Sequence, residues 1–261
     1  MYSYCDAIHA PTEAVKERLE AFGYHTPISA FSNGLPSTSI RSAESINPQV
    51  LNVANGRSCD SRDAKIRFTL VSTGRLVSEK NHEVLLQALA YSRHSHNIDL
   101  YLAGSGPLER DLQKLATPLA AHIHIGFIPH DELIALLDRA DIYVHCALVE
   151  IEGLAALEAM ARGCMPIIAR STQSSTWRYS LDSRNVFDAR NPKRLAALID
   201  YWLEHPLQRA ELCQRYNSLA RDLEIKHSID AIEGLLLHTL TNYENSDSLS
   251  PNMSTLRESL S

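Results

Sequence analysis

The sequence predicts an α/β fold with a doubly wound, mostly parallel sheet. Short apolar runs alternate with amphipathic helical stretches from Ala64 onward. The runs, among them Ile66–Ser72 and Met165–Ala169, are apolar on both faces, as strands are when helices cover both sides of a sheet. Glycine-rich turns stand where strands should pass into helices, at Thr73-Gly74 and at Ala103-Gly104-Ser105-Gly106-Pro107.

Asp6–Ala10 reads as a short strand. Thr12 suits an N-cap, Val15, Leu19 and Phe22 share one helical face, and Gly23 suits the helix end. Pro27–Phe31 reads as a strand leading into the Asn33-Gly34 turn. A β-α-β unit this small cannot bury both faces of its strands. Residues 37–63 are rich in Ser, Asn, Arg and Asp with little periodicity, and a structureless stretch that long points to a linker between domains.

From there strands are expected at Ile66–Ser72, Asp99–Ala103, His122–Ile125, Asp141–Cys146, Met165–Ala169 and Arg184–Asp188. Helices are expected at Lys80–Tyr91, Pro107–Ala120, Asp131–Asp138 and Gly153–Arg162. The next helix has the clearest ends: Asn191 caps it, Pro192 takes its first position, and Leu195, Leu198, Ile199, Trp202 and Leu203 form one stripe. Helices near Leu207–Leu223 and Ser228–Thr241 follow, then a polar tail expected to be disordered. The expected boundaries are thus 1–36, 37–63, 64–225, 226–242 for a last helix, and 243–261 for the tail.

Across 261 residues, 44% are hydrophobic and 21% charged, which excludes a mostly disordered chain. A formal net charge of −6 argues against wholesale nucleic-acid binding and leaves room for a local basic pocket. No apolar run is long enough to span a bilayer, and the first residues show no secretory pattern, so the expectation is a cytoplasmic protein. Cys5, Cys59, Cys146, Cys164 and Cys213 are odd in number and lack a CxxC, so they read as reduced thiols, with Cys146 and Cys164 buried.

A doubly wound sheet binds ligands at the carboxyl ends of its strands. After the first large-domain strand, Gly74 permits a sharp turn, and Arg75 and Lys80 could meet there to neutralise a diphosphate. Two solvated surface cations are the competing reading. Gly104-Ser105-Gly106 could cradle phosphate at a helix start or be a simple tight turn, and it lacks the third glycine of a dinucleotide fingerprint. Glu150, Glu152, Gly153 and Glu158 open the helix after a buried strand. Glu150 and Glu158 could accept hydrogen bonds from sugar and ribose hydroxyls while the amides near Gly153 face phosphates. Alternatively, Glu150 and Glu152 complement the helix dipole and Glu158 is a partly exposed helix residue. Leu154, Leu157 and Ala161 are expected to face the core. His122 and His124, like His94 and His96, lack a third ligand at metal spacing and read as ordinary histidines.

Several motifs occur in a fixed order: Gly74-Arg-Leu-Val-Ser-Glu-Lys80-Asn, Ala103-Gly-Ser-Gly-Pro107, Gly126-Phe-Ile-Pro129, Ala140-Asp-Ile-Tyr-Val-His145, and Glu150-x7-Glu158-Ala-Met-Ala-Arg-Gly163. From about Asp6 to Trp202 the chain resembles retaining glycosyltransferases of the GT-B fold, in the large family-four group, through their C-terminal donor-binding domain. Val149–Leu181, with Ser171, Ser174, Ser175 and Tyr179, looks most like bacterial diacylglycerol glucosyltransferases.

The resemblance implies roles. Arg75 and Lys80 hold the nucleotide diphosphate, and Gly74 turns the backbone before them. Glu150, the catalytic position, contacts the donor sugar, and Glu158 binds the ribose hydroxyls. Gly153 and Leu154 form the turn near sugar and phosphates, and Phe127 and Ile128 pack around the base. It further implies a UDP-sugar donor, a lipid or glycan acceptor, no metal or other cofactor, and retention by front-face attack. Ile151-Glu152-Gly153 stand where many relatives have Gly-Phe-Gly. The acceptor-binding half is expected to be missing apart from Asp6–Gly34, either supplied by another polypeptide or lost by truncation, and peripheral membrane contact stays open. Two further readings are a catalytically inactive remnant that keeps the donor pocket, and a sugar-nucleotide epimerase on a related fold.

Overall fold

The computed structural model describes residues 5–42, 46 and 67–248, with backbone alone for 243–248. Cys59, most of the expected linker, and the tail beyond residue 248 lie outside the described residues. Contacts divide the chain into two units, Leu35–Glu224 and Met1–Gly34 with Ile225–Ser261.

In the smaller unit, β1 (Ile8–Ala10) pairs in parallel with β2 (Ile28–Ala30) through α1 (Glu13–Ala21). Thr12 caps α1 by accepting from the Val15 amide, as expected, and Gly23 follows it at φ +85°. Phe22 does not join the apolar face. It is the C-cap and stands 82% exposed, while Ala14 is the buried residue of that helix. The last helix, α8 (Ile225–Ser248), starts before Ser228 and continues past residue 242, where the sequence places the tail. A Cβ on Gly34 would lie 2.5 Å from Ile225 Cα, so the chain passes close to the start of α8 there.

The larger unit carries a six-stranded parallel sheet. Its strands are β3 (Phe68–Thr73), β4 (Ile98–Ala103), β5 (His122–Gly126), β6 (Ile142–His145), β8 (Met165–Arg170) and β10 (Val186–Asp188). Between them fall α2 (His82–Leu89), α3 (Glu109–Ala116), α4 (His130–Leu137) and α5 (Leu154–Ala161), and after β10 come α6 (Pro192–Glu204) and α7 (Pro206–Asp222). The spatial order is β5-β4-β3-β6-β8-β10. Chain progression reverses between β3 and β6, which opens a crevice at their carboxyl ends. The sequence pattern does not anticipate β7 (Val149–Glu150) and β9 (Gln173–Ser174), a two-residue parallel pair beside that crevice.

Alternation along buried strands builds a core on each face. Leu70, Ile142 and Val144 enter one cluster with Leu157, Ile199 and Trp202. Val71 and Tyr143 enter the other with Leu136, Ala156 and Ala159. Each fully buried side chain of this size is worth about 1.5–3 kcal/mol. At the opposite end of β6, Asp141 accepts from the Thr69 amide at 2.9 Å and from Arg209 at 2.8 Å, tying α7 to the sheet.

Helix starts differ from the sequence expectation for local reasons. Asn81 adopts φ 52°, which a helix interior does not accept, so α2 begins at His82 rather than Lys80. Pro118 has no N–H to extend the helical ladder, and helix α3 ends at Ala116. Asn191 and Pro192 open α6 as expected. Segment 35–42 is held on this unit: Leu35 donates to Leu223 O, Arg41 to Ala161 O, and Asn217 to Arg41 O.

Candidate functional site

The turn after β3 and the turn after β4 lie back to back. Gly74 N donates to Ala103 O, Leu76 N to Ser105 O and Leu108 N to Leu76 O. A Cβ on Gly104 would stand 1.9 Å from Gly74 O, and one on Gly106 2.5 Å from Leu76 O. The glycines of the 103–107 segment therefore serve the approach of two backbones. The helix that follows carries Glu109 and Asp111 in its first turn, which repels an anion there.

The first turn of α5 is different. It holds no acidic residue, and its N-cap, Gly153 at φ +84°, has no side chain to satisfy the first amides. Those amides are free to face an anion. A Cβ on Gly153 would meet Thr176 Oγ1 at 2.4 Å, so glycine is required both by conformation and by space. Thr176 Oγ1 donates to Glu152 O at 3.2 Å, Ser175 N to Glu150 O at 3.0 Å, and Ser175 Oγ to Ile151 O. Ser171 Oγ donates to Leu148 O at 2.6 Å. The serine-rich segment thus braces the chain through Glu150, side chain to carbonyl, in the register of the β7–β9 pair. Ser174 is buried beside it and Tyr179 is half-buried.

Of the expected charged residues, Lys80 and Glu150 meet here. Lys80 Nζ donates to Glu150 Oε2, with the two side chains 22% and 19% exposed. Arg75 lies on the same turn and is exposed. Glu79 beside it is held below the ordinary carboxylate range by its own backbone amide and Ser78, with smaller help from Arg75 and Lys80. Glu158 is half-buried in α5, and Ser39 Oγ donates to its Oε1 at 3.4 Å. Gly126 turns at φ +153°, Phe127 stands 76% exposed, and Ile128 packs at the edge of the second core cluster. Phe127 and Ile128 border a cavity of about 590 Å³ with Gln113, Ile123 and His124. Leu154 is 39% exposed and does not face the core, whereas Leu157 and Ala161 do. The reason is its position at the first turn, where α5 opens onto the crevice. Glu152 is the reverse, being buried at 3% exposure while Ile151 is exposed.

Sequence reasoning assigns no role to several residues that shape the site. Asn81 Nδ2 donates to Cys146 O at 3.3 Å and Ala189 O at 2.8 Å, fixing the Lys80 turn against the ends of β6 and β10. Thr73 and Tyr143 share a hydrogen bond of 2.8 Å across β3 and β6, and burial raises the Tyr143 phenol, which stays protonated. His82 and His145 are buried in the crevice floor. Burial lowers both to about 4, assisted by the Lys80 charge, with Glu150 opposing the shift for His145. His145 Nε2 lies 3.6 Å from Glu150 Oε2. The available signal was polar residues at the carboxyl ends of otherwise apolar strands.

Among the described residues, no group of three or more His, Cys, Asp or Glu is placed to hold a metal ion. Also among them, no helix is long and apolar enough to cross a membrane. Cys146, Cys164 and Cys213 are buried and free, and Cys5 is exposed. His94 pairs with Glu204, His122 with Asp99, and His124 stacks on Tyr101.

Residues 60–222 match the family model described as Glycosyl transferases group 1. The catalytic domain of a cholesterol-alpha-glucosyltransferase from Helicobacter pylori is 39% identical, with a TM-score of 0.58, over 59% of this chain and 98% of that one. A GDP-mannose-dependent alpha-(1-6)-phosphatidylinositol dimannoside mannosyltransferase from Mycobacterium tuberculosis is 34% identical over 57% of this chain and 39% of its own length. An alpha-monoglucosyldiacylglycerol synthase from Streptococcus pneumoniae is 33% identical over 39% of this chain and 24% of its own. The chain therefore spans well under half of either curated relative.

Proposed function

The chain belongs to the group 1 glycosyl transferases, and from that premise we propose that it is the donor-binding half of a retaining hexosyltransferase. The donor is a nucleoside diphosphate hexose, UDP-glucose, and the acceptor a glycerolipid or glycan. One observation carries the reading. Lys80 pairs with Glu150 beside the β3–β6 crevice, on the turn that also carries Arg75, and the helix that follows Glu150, α5, starts at Gly153 with no capping side chain and carries Glu158.

In this reading Arg75, Lys80 and the α5 amides take the diphosphate and stabilise it as it departs, so no resident metal is required. Glu158 accepts from the ribose hydroxyls and Phe127 with Ile128 flanks the base. Glu150 orients the hexose while the acceptor attacks from the face the phosphate leaves, and the departing phosphate takes the acceptor's proton. Glucosyl names in two relatives support glucose; the GDP-mannose name makes the base and sugar the first thing to test.

The acceptor side belongs to an additional domain, on a separate polypeptide or a longer chain, at the inner face of a membrane. The surface of the smaller unit supports such a partner: α8 exposes Ile229, Ile232, Leu236 and Leu240, and a two-stranded sheet leaves edges unpaired among the described residues.

Titration calorimetry of UDP and GDP against the chain, with Lys80→Ala and Glu158→Ala, tests the donor site. The expected result is UDP binding that EDTA leaves unchanged and that either variant weakens. A folded chain that binds neither nucleotide overturns the proposal. UDP binding with no transfer, even with the acceptor domain added, points to an inactive binding module instead.

A further inference from the structure

Glu150 has two neighbours competing for one oxygen. Lys80 Nζ holds Oε2, and His145 Nε2 lies 3.6 Å from the same atom. The His145 side chain is 3% exposed at the end of β6, and its Nε2 has no hydrogen-bond partner. A buried polar group left unpaired is costly, so a ring aimed at a carboxylate without bonding it calls for an account.

We propose that His145 is a positioning residue that takes over Glu150 when the donor diphosphate draws Lys80 away. This rests on the donor reading above. In the free protein the ammonium and carboxylate neutralise each other, which keeps the half-buried Glu150 in place. A diphosphate carries more negative charge than one carboxylate and attracts Lys80 more strongly. Glu150 must then keep its orientation toward the sugar without that cation. An imidazole with its proton on Nε2 donates one hydrogen bond, and because burial keeps the ring neutral it adds no charge to compete with Lys80 for phosphate. Closing from 3.6 Å to hydrogen-bond distance takes only a small side-chain rotation. No bond is made or broken and no proton leaves the pair; Glu150 exchanges one donor for another.

Two measurements on the full chain test this. The first compares UDP and UDP-glucose affinities for the wild type, His145→Phe and His145→Gln. In His145→Phe, UDP affinity should hold within about twofold. The ratio of UDP-glucose to UDP affinity should fall about tenfold, the worth of a hydrogen bond to a charged group. His145→Gln, which keeps a donor, should recover most of the ratio. An unchanged ratio in folded His145→Phe overturns the proposal, as does a loss that His145→Gln fails to restore. His145→Leu replaces His145→Phe if the larger ring prevents folding.

The second is a double-mutant cycle read by urea denaturation without nucleotide. Removing the imidazole should destabilise the Lys80→Ala protein more than the wild type, because there His145 alone holds Glu150. Additive effects overturn the proposal. If UDP fails to bind the wild type, the donor reading fails, and this cycle still decides whether His145 supports Glu150.

Discussion

The β3–β6 crevice and the β5 edge both lie at the carboxyl ends of one sheet, yet they are built on opposite principles. In the crevice there is no space to spare: a Cβ on Gly104 would run into the Gly74 backbone, and one on Gly153 into the Thr176 side chain. Lys80 is matched there with Glu150 and Thr73 with Tyr143, while His145 Nε2 is left without a hydrogen-bond partner. At the β5 edge a Cβ on Gly126 would meet nothing within 4 Å, and Phe127 projects into solvent. The difference shows where geometry is fixed before a ligand arrives. Under the proposed function, stabilising a departing diphosphate needs preorganised partners, whereas packing a flat base needs only an available apolar face.

The largest way to break this contrast is steric. Gly104→Ala should cost about 3 kcal/mol or more, since both crowded groups are backbone and neither can rotate aside. Gly126→Ala should cost about 1–2 kcal/mol, from the φ +153° conformation alone. Urea unfolding midpoints compare the two; equal losses would mean that the crevice is as open as the edge.

Acid should attack the crevice next. His82 and His145 stay neutral in the fold down to about pH 4, against an ordinary value of 6.5. Between those limits the unfolded chain binds more protons, so stability rises with pH through the window and is lost on acidification. The loss should approach about 3 kcal/mol per histidine near pH 4 and vanish above pH 6.5. Denaturation from pH 4.5 to 7.5 measures it, and His82→Leu should flatten part of the slope.

Nucleotide binding sharpens the comparison further. Lys80→Ala should lower UDP affinity about 30-fold or more, as expected for losing a charge-assisted contact to phosphate. Phe127→Ala should leave stability within about 0.5 kcal/mol, because the ring is already exposed. It should cost UDP about fivefold through lost stacking on the base. A larger effect at Phe127 than at Lys80 would invert the assignment of the two regions.

The main sheet strands and the helices of the larger unit were legible because apolar periodicity and capping residues are local signals; Asn191-Pro192 and Thr12 act as the sequence suggests. The two-residue strands β7 and β9 were not, since a pair so short exists only through its partner. Arg75, Lys80, Glu150 and Glu158 were recognisable as charged residues at helix and strand ends. Their pairing was not. Nor was the burial of Glu152, which adjoins exposed Ile151 and has no periodic signal of its own.

Sequence alone therefore determined the element types, the parallel doubly wound class and the residues able to carry charge chemistry, because these follow from side-chain pattern and turn composition. Tertiary structure decided that Gly104 and Gly106 serve the packing of two turns, that Lys80 pairs with Glu150, and that His145 stands beside Glu150. Each of these depends on the distance between groups far apart in the chain, and only the strand order that brings β3 next to β6 sets those distances.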